Sequence, residues 1–391
     1  MIPFRDLGLV APLFAGLTLF ATSVQAIGPQ QMAQNTPAPT APLVQGQTPP
    51  APPAPVEQPS TPVEPPRESL TLFTAFDSQR MAQVFQEFSD NQKINVRIES
   101  DEADLILGRL LREGATSSAD VIMVPTLSRL ERATTAGLLQ AMPIPELEKA
   151  IPAAYRDAQN RWFGIAMSAR AVAFWNDRLK PGEVNSLRDL GKASLKGKVC
   201  LPPFDRLSNR TFIASLLQGA EAPAIEGMLK AIVSNAAPLP EDLPRTSIDG
   251  DDRVLLVAMT KGVCDAALIG SRSLARLADK GDDAIKAALD KVTIVWPQIE
   301  GRGTPIDVIG VGTTASSNKK EAVAKLLAYL ASDSGQRKMA EALWAYPIKA
   351  GVPLSNPVTR WGPVKADPTP FATLQPLLPA AGQLGEQLSV R

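Results

Sequence analysis

Ser271, Arg272 and Ser273 follow a short apolar run, Val263 to Ile269, and precede Leu274, Leu277 and Ala278 at helical spacing. A strand that ends at Gly270 in a small polar turn and restarts as a helix puts these side chains beside free helix N–H groups. In open α/β sheets, ligands lie in the crevice outside such strand ends. Hydroxyls and a fork-shaped guanidinium there suit a carboxylate, phosphate or phosphonate. An ordinary strand-turn-helix with solvated Ser271 and Arg272 is the other reading of this stretch.

At 391 residues and 45% hydrophobic content, the chain has room for two compact domains and a sizeable core. Lys plus Arg and Asp plus Glu number 40 each, so no net field favours nucleic acid or an anionic membrane. The absence of histidine removes the commonest metal ligand and the usual general base, so neither a hydrolytic triad nor a zinc site is expected. No phosphate-binding glycine loop, dinucleotide fingerprint or nucleophile elbow occurs, and Cys200 and Cys264 have no histidine partner. An enzyme is therefore not expected, and no cofactor is implied.

The amino terminus bears on the compartment. Arg5 precedes the apolar segment Leu7 to Ala21, broken by Pro12, and the stretch ends at Ala26 in a small-x-small pattern. Residues 1–26 read as a signal peptide cut after Ala26, giving a periplasmic protein with no membrane span after cleavage; an uncleaved anchor is the other reading, since Asp6 offsets Arg5. Residues 27–69 form a Pro/Ala/Gln-rich linker, including PPAPPAP at Pro49 to Pro55, whose composition is that of disordered chain.

From Leu70 the pattern is strand, helix, strand, helix, strand: Leu70 to Thr74, a helix with Met81, Val84, Phe85 and Phe88 on one face, and Ile94 to Ile98. A second helix follows, capped within Ser100 to Glu102 and carrying Leu105, Leu107, Leu110 and Leu111, and then Asp120 to Val124. That spacing predicts a parallel sheet with helices on both sides. A second series, from Val199 to Pro202 through Ala266 to Ile269 and Val292 to Trp296, predicts a second α/β lobe inserted in the first. Lobe one is expected over 70–175 plus 304–391 and lobe two over 176–303, with hinge crossings near Phe174 to Asn176 and Gln298 to Thr304.

LTLFTAFDSQRMAQVFQEF, KINVRIES, SSADVIMVP, RWFGIAMSARAVAFWNDRL, LKGKVCLPP and KGVCDAALIGSRSLARL together resemble the type II periplasmic solute-binding proteins, in their ferric-iron-binding branch. The resemblance runs on through GTPIDVIGVGTTASSNKKEAVAKLLAYLASDSGQRKM to about Val390. It implies a monomeric two-lobed protein that closes around a small-molecule ligand and docks on an ABC permease. In the strand order it implies, the strands begun by Cys200 and Cys264 are parallel neighbours, so these cysteines are expected to form a disulfide; two reduced buried thiols are the alternative.

In that branch iron is held by paired tyrosines, often with a histidine and a carboxylate. Here the tyrosine positions are Arg272 and Ser273, the histidine position falls on or near Asp77, and the carboxylate position is Pro125. The ligand-binding candidates are Asp77, Ser168, Arg170, Arg206, Asn209, Asp252, Arg253, Ser271, Arg272, Ser273 and Asp307. Their mixed signs suit an anionic or zwitterionic organic solute, its anion on Arg272 and its amine or hydroxyls on Asp77 or Asp252. Two alternatives stand beside this: ferric iron or another metal on the oxygens of Asp77, Asp252 and Asp307, and a tethered sensor or interaction protein without transport.

Overall fold

The computed structural model describes residues 67–243, 252–299 and 301–389. The expected signal peptide and nearly all of the expected linker lie outside the described residues. The strands are β1 (Glu68–Thr74), β2 (Ile94–Ser100), β3 (Val121–Pro125), β4 (Trp162–Trp175), β5 (Val199–Cys200), β6 (Ala266–Gly270), β7 (Val292–Val295), β8 (Ile306–Thr313) and β9 (Tyr346–Pro347). The first helices are α1 (Ser78–Gln92), α2 (Ala103–Glu113), α3 (Leu127–Thr135), α4 (Pro145–Ala150), α5 (Leu207–Leu217), α6 (Ala222–Ser234) and α7 (Arg253–Thr260). After them come α8 (Ser271–Lys280), α9 (Asp283–Asp290), α10 (Lys320–Ala331), α11 (Asp333–Ala342), α12 (Asn356–Thr359), α13 (Phe371–Leu374) and α14 (Leu378–Leu388).

Side-chain alternation explains the layering. Val121 and Met123 of β3 enter one core while Ile122 and Val124 enter another, and β8 divides Ile309 and Val311 from Ile306 and Val308 in the same way. Strands apolar on both faces need helices on both sides. On one side α1 buries Met81, Val84, Phe85 and Phe88, the face its spacing predicts.

The strand order is β2-β1-β3-β8-β4-β6-β5, with β7 and β9 also paired to β4. β1 runs parallel to β2 and β3, and β5 runs parallel to β6. β4 and β8 are antiparallel to each other and to their other neighbours, so the α/β sheet is mixed. β4 serves both halves: Trp162 to Ala169 pairs with β8, and Arg170 to Phe174 with β6. Its change of partner thus precedes the crossing expected near Phe174. On the second crossing Gly303 has φ 132°, and a Cβ there would come within 2.7 Å of the Lys365 carbonyl oxygen.

Three local expectations need correction. β1 starts at Glu68, inside the expected linker. The buried face of α2 is Ile106, Leu107 and Leu110, whereas Leu105 and Leu111 are 54% and 37% exposed because they flank that stripe. Within the expected capping span the N-cap position of α2 falls to Glu102, with no side-chain capping bond, while Ser100 ends β2 and its hydroxyl donates to the Phe76 carbonyl oxygen at 2.6 Å. Cys200 closes β5, Cys264 lies just ahead of β6, and the two form a disulfide with Cα atoms 5.7 Å apart, within the reach a disulfide demands.

Candidate functional site

Arg170 stands on β4 at its change of partner, opposite Gly270 at the end of β6. Its guanidinium donates to Asp252 Oδ2 in a buried ion pair. The same oxygen accepts from Gly270 N–H at 2.8 Å, and a Cβ on Gly270 would lie only 3.1 Å from it. Asp252 N–H in turn donates to Ser273 Oγ at 3.0 Å, and Ala169 N–H donates to Ser271 Oγ at 3.1 Å. Both hydroxyls are thus engaged by the backbone, bracing the start of α8 against β4 and the Asp252 turn.

Beside this brace is a cavity of about 70 Å³ lined by Thr126, Arg129, Ser168, Arg170, Arg272 and Asp307, among others. Arg129, 1% exposed, is bidentate to Asp104 at 2.9 and 3.1 Å. Thr126 adopts φ 78°, a conformation costly for a β-branched residue and one that concentrates at functional sites. It is held by a bond from its N–H to the Val308 carbonyl oxygen (2.8 Å) and by Leu127 N–H donating to Asp307 Oδ1 (2.8 Å). Burial pushes Asp307 up to about 6, against the pull of the Leu127 N–H, the nearby Thr211 hydroxyl, the Val308 N–H and the Arg129 charge.

Arg272 spans the cleft from α8. Its Nε donates to the Leu343 carbonyl oxygen at 2.9 Å, and its guanidinium lies over the Phe76 ring at 5.1 Å. Arg276 and Asp279 continue this stripe at the next helical positions. Asp279 accepts from Trp344 Nε1 at 2.9 Å, and Arg80 of α1 stacks on the same indole at 3.8 Å. Replacing Trp344 by alanine should weaken this clasp by about 1–2 kcal/mol. An unchanged radius of gyration by small-angle X-ray scattering would refute the clasp.

The remaining candidates are placed elsewhere. Asp77 is exposed and caps α1, accepting from Arg80 N–H at 2.8 Å. Arg206 is exposed at the N-cap position of α5, Arg253 opens α7, and buried Asn209 braces its own turn through the Pro203 carbonyl oxygen at 2.7 Å. Asp77, Asp252 and Asp307 do not converge, and among the described residues no three His, Cys, Asp or Glu side chains are grouped to hold a metal. Arg129 and Ser208, which also lines the cavity, carry no local signal: Arg129 is a polar residue in the first turn of amphipathic α3, and Ser208 one in the first turn of α5, which is buried on nearly every side.

The chain has 3 tyrosines. Their hydroxyls donate to backbone carbonyls: Tyr155 to Asp367 at 3.0 Å, Tyr329 to Val84 at 2.8 Å and Tyr346 to Gly362 at 3.2 Å. Burial raises all of them, Tyr329 to about 12, which is the opposite of what a phenolate ligand needs.

This architecture, two α/β halves around a polar cleft, coincides with a match to the bacterial extracellular solute-binding protein model over residues 71–342. The chain belongs to that family. Members of this solute-binding family bind rather than transform their ligands, and the fold is the two-lobed, type II periplasmic one. Iron uptake protein A1 of Synechocystis sp. is 30% identical over 318 residues, 81% of this chain and 86% of that one. A Trichodesmium IdiA (FutA) structure in complex with iron and citrate ligands is 30% identical with a TM-score of 0.75, covering 82% of this chain and 99% of that one. The Mannheimia haemolytica ferric iron-binding protein A in an open conformation is 27% identical with a TM-score of 0.73, covering 82% and 98%.

Proposed function

We propose that this solute-binding protein captures iron as an anionic carboxylate chelate, in the periplasm, and delivers it to an ABC-type permease. Iron as cargo departs from the free organic solute expected from the sequence, and the names of the relatives favour it: iron uptake, ferric iron binding, and a complex with iron and citrate. The observation that carries the chelate form is the chemistry of the cleft. Three guanidinium groups line the cavity, while the tyrosine hydroxyls are tied to backbone carbonyls and the carboxylates do not converge. Ferric iron wants hard anionic oxygens. Here a chelator supplies them, and the arginines hold the chelator's carboxylates.

Under this reading lobe one runs from β1 at Glu68 to residue 175 plus 304–391 and lobe two is 176–303, with closure pivoting on β4 and the second crossing. The protein acts as a monomer, exported by residues 1–26 and spaced by the Pro/Ala/Gln-rich chain ahead of β1. Isothermal titration with ferric citrate, citrate alone and carboxylate-free ferric acetohydroxamate tests the ligand. Ferric citrate should bind most tightly, and Arg272→Ala should weaken it by about tenfold or more. Stripping of iron from acetohydroxamate to give a coloured metalloprotein would show that the protein itself supplies the iron ligands, and would sink the reading.

A further inference from the structure

We propose that the Thr126 side chain is a ligand contact, its hydroxyl donating to a carboxylate oxygen of the bound chelate. This assignment deepens the chelate reading above and rests on it. β3 ends at Pro125 and α3 begins at Leu127, so Thr126 alone makes the turn between them. Its N–H donates to the Val308 carbonyl oxygen at 2.8 Å, which continues the sheet, while its own carbonyl oxygen accepts the first helical bonds, from Arg129 and Leu130 N–H at 3.3 and 3.4 Å. One residue serves both only by turning sharply, here at φ 78° and ψ 138°. Glycine takes such a conformation freely, whereas a β-branched residue is strained in it. Nothing in the turn itself calls for a side chain, so the threonine side chain serves something else.

What it adds is a hydroxyl in a defined setting. Thr126 is 6% exposed and lines the cavity of about 70 Å³. Its Oγ1 lies 3.5 Å from Nη1 of Arg129, a guanidinium of the same lining, and its proton has no acceptor among the described residues. The carboxylate in that lining, Asp307, already receives Leu127 N–H and Val308 N–H, both at 2.8 Å, and the Thr211 hydroxyl. A buried hydroxyl with a proton to give, set beside a guanidinium, suits an anionic oxygen, and hydrogen bonds to a charged acceptor are the stronger kind. A single water needs on the order of 10–15 Å³, so the cavity takes one carboxylate arm and not a whole chelate.

Thermal melts and isothermal titration with citrate, alone and as its ferric complex, test the contact on three variants. Thr126→Val keeps the shape and the backbone conformation and removes only the hydroxyl. It should melt with wild type and bind about tenfold or more weakly. Thr126→Ser returns the donor and should bind within about threefold of wild type. Thr126→Gly relaxes the turn, so it should melt no lower than wild type while binding as poorly as the valine variant. Wild-type affinity in Thr126→Val overturns the proposal and leaves the chelate reading standing. Should the valine variant fail to fold, wild-type affinity in Thr126→Gly overturns it equally, because the side chain then serves the fold alone. If wild type binds neither citrate nor its ferric complex, the chelate reading falls and this contact falls with it.

Discussion

Replacing Asp252 with alanine should cost about 3–5 kcal/mol of stability and abolish ligand binding, because it strands a charge. Arg170 and Asp252 are 7% and 5% exposed, so the guanidinium left behind loses its carboxylate in a site largely closed to bulk water. Gly270 N–H loses its acceptor as well, and the start of α8 loses the turn that Ser273 ties to it. Urea denaturation would measure the loss as a lower midpoint at unchanged slope. Arg170→Met combined with Asp252→Leu should regain much of the stability, because an apolar pair of similar volume leaves no buried charge, while ligand binding stays lost. A single-variant loss below about 1 kcal/mol, the range of exposed ion pairs, would mean that the pair is solvated in solution.

Loss of the Cys200–Cys264 disulfide should destabilise the protein by about 4 kcal/mol, the chain-entropy value for a loop set by a separation of 64 residues. Both residues are at most 1% exposed. Mild reductant should therefore leave the native protein oxidised, and only reductant with denaturant should open the bond. Thermal melts of Cys200→Ala/Cys264→Ala against wild type give the magnitude. Equal melting temperatures would show that the bond merely decorates strands already held by the β5–β6 pairing.

Much of the architecture was legible because the signals were periodic. Met81, Val84, Phe85 and Phe88 mark α1, and short apolar runs between turn residues mark β1, β3 and β6. The cysteine pairing came with the strand order that the resemblance implied. The site was harder to read, because the same residue types serve as ligands and as struts. Ser271 and Ser273 flank Arg272 in a stretch that reads as a ligand turn, yet their hydroxyls accept backbone N–H groups. Asp77 read as a contact, although an Asp at a helix start is an N-cap by default. Asp252, a ligand candidate on sequence, also clamps Arg170, through an ion pair between residues 82 positions apart that no local pattern reveals. Arg129 lay hidden in an amphipathic helix for the same reason.

The place of β8 in the sheet also bears on how the chain acquires its fold. β3 is Val121–Pro125, nearly all of it buried, and its second neighbour is β8, with Ile122 opposite Gly312. Everything from α3 to β7 must emerge before that neighbour exists. Until then β3 presents a short, uncharged, β-branched edge with no partner, the kind of template on which nascent chains stick to one another. Contacts so distant along the chain also form slowly. Holding factors that shield segments near residue 122 should therefore raise the yield of soluble protein more than any that act on the later-synthesised half.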